Sequence, residues 1–309
     1  LSPKTLLMKQ TFSTYIDSLQ DRITSKLEEV DGMGRFQKDN WERPGGGGGQ
    51  TRVIENGGVF EKGGVNVSKV YGTLPETMQK HLKVEHGRFF ACGISLVLHP
   101  KNPLVPTVHA NFRYFELYDE DNHIVDQWFG GGIDLTPYYV FEQDIKHFHR
   151  TCKSVCDAHD STFYATYKEK CDTYFWNTHR NEARGVGGLF FDYCRAAEGK
   201  TVSQWYDFVT AVGDSFLDAY IPILNRRKDT PFNDQNRQWQ EIRRGRYVEF
   251  NLIHDKGTLF GLRTQGRIES ILMSLPPVVQ WKYNISPAEG SEEERLERVL
   301  KTPIDWIKD

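Results

Sequence analysis

The sequence has no CxxC pair and only five cysteines in 309 residues: Cys92, Cys152, Cys156, Cys171 and Cys194. A sparse, odd set argues against a disulfide-framed scaffold and for a reducing compartment. Cys152 and Cys156 stand one helical turn apart and read as small buried apolar residues rather than a redox pair. No apolar run approaches the ~18 residues of a membrane span, so no transmembrane segment is expected. An excess of one charge is also lacking. Lys+Arg number 39 and Asp+Glu 42, a formal net charge of −3, which leaves no basic footprint for nucleic acid. There is no Gly-x-Gly-x-x-Gly opening a helix, no P-loop and no Gly-x-Ser-x-Gly elbow. Cys-rich cofactor motifs are missing too. No signal peptide is visible. A cytoplasmic location is expected, with the mitochondrial intermembrane space as the alternative if an N-terminal targeting segment is missing.

Aromatic residues make up 13% and apolar types 38%, enough for a substantial core. Ser2-Pro3 reads as an N-cap with proline at the first helical position. Phe12, Tyr15, Ile16, Leu19, Ile23, Leu27 and Val30 then recur at helical spacing, giving an N-terminal helix within 1–32. "RPGGGGGQ" (43–50) reads as a Gly-rich mobile loop. Further helices are expected over 142–158, over about 203–224, and from Ser291, where Ser291 and Glu294 form a capping-box pattern. Strands are expected over 89–98, 106–117, 124–130, 186–191, 246–254, 257–263 and 268–275, with Asp255-Lys256-Gly257 as a hairpin turn. Helices and hairpins are mixed without βαβ alternation. The fold class is therefore α+β: one domain over 1–309, with a broad, mainly antiparallel flat sheet flanked by helices on both faces.

Polar side chains gather on one strand face. In "PTVHANFRYFE", Thr107, His109, Asn111 and Arg113 point one way and Val108, Ala110, Phe112 and Tyr114 the other. In "CGISLVLHP", Ser95, Val97 and His99 oppose Ile94, Leu96 and Leu98. The two strands should pair antiparallel across a short turn, bringing His99 near His109. An exposed sheet face and a functional floor both fit this pattern. On helix 142–158, His147 falls opposite the apolar stripe and reads as solvated. His149 falls at the edge of the stripe, either a satisfied core histidine or a site residue. "HRNEARGVGGLFF" sets His179, Arg180 and Arg184 before a glycine-rich approach, suited to carboxylate recognition. "GGGIDLTP" (130–137) runs three glycines into Asp134, and each glycine in a strand costs about 0.5–1 kcal/mol against alanine. Such a run marks a turn, a bulge or a close approach of another molecule. No lysine or arginine lies between Arg113 and Lys146, so the local sequence offers Asp134 no cationic partner. The set fits an anionic, multi-carboxylate, fairly apolar ligand that enters without a nucleotide.

"GGVFEKGGVNVS", "PTVHANFRYFE", "WFGGGIDLTPYY", "HRNEARGVGGLFFD", "RRGRYVEFNLIHDKGT" and "RIESILMSLPP" together resemble the oxygen-dependent coproporphyrinogen III oxidase family, from about residue 10 to the C-terminus. Two departures are visible. Gln127-Trp128 stands where the family usually has Trp-Trp, and Asp192-Tyr193 where it has Asp-Asp. The resemblance implies oxidative decarboxylation of the ring A and B propionates of coproporphyrinogen III to vinyl groups, consuming O2 and releasing CO2. It also implies a homodimer, with 247–282 as the dimerisation region, and no required cofactor beyond O2 as co-substrate. It matches His109 to a proton donor, Asp134 to an acceptor for the pyrrole N–H groups, and Arg184 to a catalytic arginine. Ser95, Asn111, Phe112, Arg113, Gln265, Gly266 and Arg267 match substrate-binding positions. Two alternatives remain: a metal-dependent oxidoreductase ligated by His99, His109, His149 and His179, and a tetrapyrrole carrier without catalysis.

Overall fold

The structure, a computed structural model, describes residues 3–74, 79, 87–196, 199–263 and 266–308. Ser2 and Gln265 lie outside the described residues. Seven strands form one antiparallel sheet in the order β1 (Gln37–Glu42), β2 (Gly47–Glu55), β3 (Phe60–Thr73), β4 (Arg88–Pro100), β5 (Thr107–Tyr118), β6 (Ile124–Thr136) and β9 (Gly188–Cys194). A separate two-stranded ladder joins β7 (Trp176–Asn177) to β8 (Glu182–Ala183). The helices are α1 (Pro3–Asp31), α2 (Glu142–Asp157), α3 (Phe163–Tyr174), α4 (Val202–Asp214), α5 (Phe216–Arg227), α6 (Asp234–Ile253), α7 (Lys256–Arg263), α8 (Ile268–Leu272) and α9 (Glu292–Leu300).

One face of the sheet is apolar. Ile94, Leu96, Leu98, Val108, Ala110, Phe112, Ile133, Leu189 and Phe191 alternate onto it and are buried. Phe12, Ile16, Leu19, Ile23 and Leu27 of α1 pack into the same core, the stripe that their spacing predicts. All five cysteines are buried, and none forms a disulfide among the described residues.

Several expectations are corrected. The 43–50 segment is not a loop throughout. It makes a tight turn at Arg43–Gly47, where Arg43 N donates to Gly47 O at 2.8 Å, and then enters β2. Gly46 and Gly47 supply the positive φ of the turn, at 111° and 84°. The predicted 203–224 helix is two helices, broken at Ser215, whose hydroxyl donates to Val212 O at 2.8 Å. His147 is not simply solvated: its Nε2 meets Asp218 O at 2.9 Å. Pro222 in α5 has no N–H to give that carbonyl, and His147 supplies one.

The larger error is over 246–275. All three strands expected there are helical, forming the end of α6, α7 and α8. The buried side of α6 holds Gln240, Arg243, Arg244 and Asn251 among its apolar residues, so hydrophobic periodicity is masked. Arg244 pairs with Glu61 at 2.7 Å and Arg243 with Glu182 at 2.9 Å. Asp255-Lys256-Gly257 is not a hairpin turn. Asp255 caps α7, accepting from Thr258 N at 2.7 Å.

Asp31 ties the end of α1 to the sheet. Its carboxylate accepts backbone N–H groups from Met33, Gly34, Gly58, Val59 and Phe60 at 2.5–3.2 Å. A Cβ on Gly57 would lie 2.3 Å from Asp31 Oδ2, so only glycine leaves this seat open. Burial opposes the charge, but these N–H groups outweigh it and hold the carboxyl below the usual range. A lowered native pKa gives stability that is present above the unfolded-state pKa and lost as pH falls through the native one. Asp31→Ala should therefore destabilise the protein by about 2–3 kcal/mol at neutral pH, with the gap to the parent narrowing below about pH 4. Melting curves from pH 7 to 3 check this. A variant within about 1 °C of the parent at neutral pH would refute it.

Candidate active site

The register of β5 on β6 builds the site. His109 lies opposite Asp134, Asn111 opposite Gly132 and Arg113 opposite Gly130. Ser95 on β4 pairs with Asn111 and faces the same way. Ser95, His109, Asn111 and Arg113 are half-buried while the residues between them are buried, so the polar stripe expected from alternation is present as an open floor. A slip of one residue would send His109 and Asp134 to opposite faces.

His109 Nδ1 lies 2.7 Å from Asp134 Oδ1. The carboxylate accepts there, which leaves the His109 Nε2 edge for other partners. Asp134 Oδ2 accepts from Arg184 Nη2 at 2.7 Å, and Arg184 Nη1 donates to Asn251 Oδ1 at 2.9 Å. The Asp134 and Arg184 side chains are 3% and 2% exposed, against 20% for His109. The imidazole is thus the open end of a buried His–Asp–Arg chain. The Arg184 guanidinium carbon sits 3.9, 4.7 and 5.0 Å from the ring centroids of Phe175, Tyr247 and Phe250, a cage suited to a desolvated cation.

The glycines after Arg184 bring it here. A Cβ at Gly185 would lie 2.3 Å from Leu135 O, and Gly187 takes a φ of 85°. Val186 N then donates to Leu135 O at 2.9 Å, docking the segment on β6 beside Asp134.

Burial works against the charge on Asp134, but Arg184 and His109 outweigh it and hold the carboxyl below its ordinary range. Burial likewise opposes the Arg184 cation, which Asp134 holds above its ordinary range. The sequence reading of Asp134 as lacking a cation is therefore corrected. Its partner comes from fifty residues along the chain, and both carboxylate oxygens are engaged inside the protein.

The glycine run also has a local explanation. A Cβ at Gly131 would meet Asn111 O at 2.5 Å, and one at Gly132 would meet Leu189 O at 2.4 Å. At Gly130 it would lie 2.6 Å from Asp192 Oδ1 and 2.8 Å from Arg113 Nη2. The run is no turn. It lies inside β6, and its missing side chains make room for neighbouring backbone and for an ion pair.

The other expected residues divide. Phe112 is 1% exposed and faces the core, so its ring does not reach the floor. Arg267 pairs with Asp39 on β1 and donates to Ser270 Oγ at 3.1 Å, so the Gly266-Arg267 turn lies at the opposite edge of the sheet from His109. Gln265 is outside the described residues. The four histidines considered as metal ligands sit in four separate networks. His99 donates from Nε2 to Ser274 O at 2.8 Å, and His149 from Nε2 to Val186 O at 3.0 Å. Burial, with Arg244, pushes the His99 imidazole down to about 3, and burial pushes His149 down to about 4. His149 is the satisfied core histidine of the two readings. His179 contacts His254 and Glu249 at 2.9 and 2.8 Å.

Asn251, Tyr247, Phe250 and Phe175 were missed. Read as a helix, "RYVEFN" would have put Tyr247, Phe250 and Asn251 on one face by their i, i+3, i+4 spacing. A groove of about 900 Å³ between α3 and the C-terminal residues includes none of His109, Asp134 or Arg113. The site is therefore assigned by chemistry and not by volume.

The chain matches an oxidoreductase family. The family model for coproporphyrinogen III oxidase matches residues 11–306, and the chain belongs to that family. The oxygen-dependent coproporphyrinogen-III oxidase, chloroplastic, of Glycine max is 49% identical over 313 residues, covering 97% of this chain and 80% of the relative. That chloroplastic relative overturns the expected cytoplasmic location and points to a plastid.

Removing one member of the buried pair should strand the other. Arg184→Met should cost about 3–5 kcal/mol by leaving Asp134 uncompensated. Arg184→Met combined with Asp134→Asn should cost less than the sum of the two single changes by at least about 1 kcal/mol. Urea unfolding of the four proteins measures this, and strict additivity would show that the pair is not coupled.

Proposed function

We propose that this chain catalyses the O2-dependent conversion of coproporphyrinogen III to protoporphyrinogen IX in haem biosynthesis. Family membership sets the reaction class. The observation that carries the site is the His109–Asp134–Arg184 chain opening onto a polar floor. Each propionate that becomes a vinyl group releases CO2, one proton and two electrons, and O2 accepts the electrons. His109, with Nε2 on the floor, is the group placed to exchange a proton with the ligand. Asp134, 2.7 Å from Nδ1, stabilises the imidazolium when that proton is held. Its role is thus exerted through His109 and not by facing the macrocycle directly. Arg184 keeps Asp134 ionised. Ser95, Asn111 and Arg113 line the floor, and Arg113 takes a propionate.

No cofactor beyond O2 is required in this reading, because a reduced tetrapyrrole is electron-rich and can itself donate to O2. The test is turnover of coproporphyrinogen III in air and under anaerobic conditions, with chelator present. Vinyl product and CO2 should form only with O2 and should be insensitive to chelator. Chelator-sensitive turnover would favour the metal-dependent alternative, and binding without turnover the carrier. Asp134→Asn should lower kcat at least about 10²-fold at saturating O2. Near-normal turnover would show that its charge is not needed.

We also propose a homodimer built on 247–282. Leu252, Ile253, Ile268, Val278 and Trp281 there are 39–58% exposed, a concentration of large apolar groups that a C2 partner would cover. Sedimentation should show a dimer, weakened by Ile253→Asp with Ile268→Asp. An active parent monomer at micromolar concentration would refute it.

A further inference from the structure

One ion pair on the floor lies outside the His–Asp–Arg chain. Arg113 Nη2 stands 2.8 Å from Asp192 Oδ2, and Arg113 Nη1 donates to Asn111 Oδ1 at 3.0 Å. Asp192 is pinned as well. Its Oδ1 accepts the backbone N–H of Tyr193 at 2.9 Å. Tyr193 holds a left-handed φ of 54°, at a bulge where β6 and β9 shift register between Phe129 and Gly131. Its ring lies against Trp128, with centroids 5.2 Å apart, which holds the bulge in place. Beneath the pair, Gly130 leaves the space that a Cβ would take from both charged groups.

Two local features, each unfavourable by itself, converge on seating one salt bridge: a non-glycine residue takes positive φ, and a strand gives up a side chain. The pair is 37% and 28% exposed, and an ion pair so open contributes little to stability. Its consequence is orientation. One guanidinium N–H donates to Asn111, Asp192 holds the group by charge, and the guanidinium keeps further N–H donors for a ligand.

We propose that Asp192 is a positioning residue: it fixes the Arg113 guanidinium across Gly130 so that the remaining N–H donors meet a substrate carboxylate. This rests on the reading that Arg113 takes a propionate. Without Asp192, binding must itself order a long side chain, and that cost falls on affinity. His109 is four residues along the same strand, about 13 Å away, so proton exchange there is untouched.

The test is steady-state turnover of coproporphyrinogen III at saturating O2. Asp192→Asn keeps an oxygen for the Tyr193 N–H and removes the charge facing Arg113. It should raise KM about tenfold and leave kcat within about twofold. Gly130→Ala keeps both charged groups but separates them, and should raise KM in the same way. In an Arg113→Ala background, Asp192→Asn should change KM by less than about twofold. A merely structural role would give equal effects in both backgrounds and would lower kcat with the melting temperature. An unchanged KM in Asp192→Asn, or additivity with Arg113→Ala, overturns the proposal while parent turnover continues. A parent that does not turn over overturns the functional reading beneath it instead.

Discussion

A carboxylate in the middle of a sheet must be neutralised or paired, because an isolated buried charge is far too costly. Asp134 meets this constraint with two partners, and much of the molecule is organised around supplying them. β5 brings His109 by register, and the segment after β8 brings Arg184 through glycines that let it dock on β6. α6 brings Asn251 to the far side of the guanidinium and, with Phe175 and Tyr247, closes an aromatic cage around it. One ionised group thereby ties the sheet, the β7–β8 ladder and α6 together.

The same physics recurs where the sheet meets its outer layer. Buried arginines with carboxylate partners hold α6 to the sheet, through Arg244 on Glu61, and to the β7–β8 ladder, through Arg243 on Glu182, in addition to its apolar residues. Asp31 anchors α1 through backbone N–H groups. In each case a charge is buried only where several donors or an opposite charge converge. Removing one partner leaves the other exposed to the full desolvation penalty. Glycine has a consistent part in this. Gly57, Gly130 and Gly185 each leave room for a polar or backbone group that a side chain would displace.

Much of the site was legible in local sequence. Alternation alone placed Ser95, His109, Asn111 and Arg113 on one face and Phe112 on the other, since strand periodicity is set by backbone geometry. The α1 and α2 stripes and the Ser291 cap of α9 were legible because helix spacing and cap chemistry are local as well. α6 was not, because its buried face carries arginines, glutamine and asparagine, which read as surface until their partners are known. Asp134 read as unpaired because its cation is distant in sequence, and the glycine run left a turn, a bulge or a close approach of another molecule open because the groups filling it come from β5 and β9.

The sequence by itself determined the family, the apolar and polar faces of β4 and β5, and the residue types available for chemistry. These depend on local spacing and on long motifs. The tertiary structure alone decided which charge meets which: Arg184 on Asp134, Asp192 on Arg113, and each of the four candidate histidines in a network of its own. Electrostatic pairing depends on distance in space and on exclusion of water, and neither is set by separation along the chain.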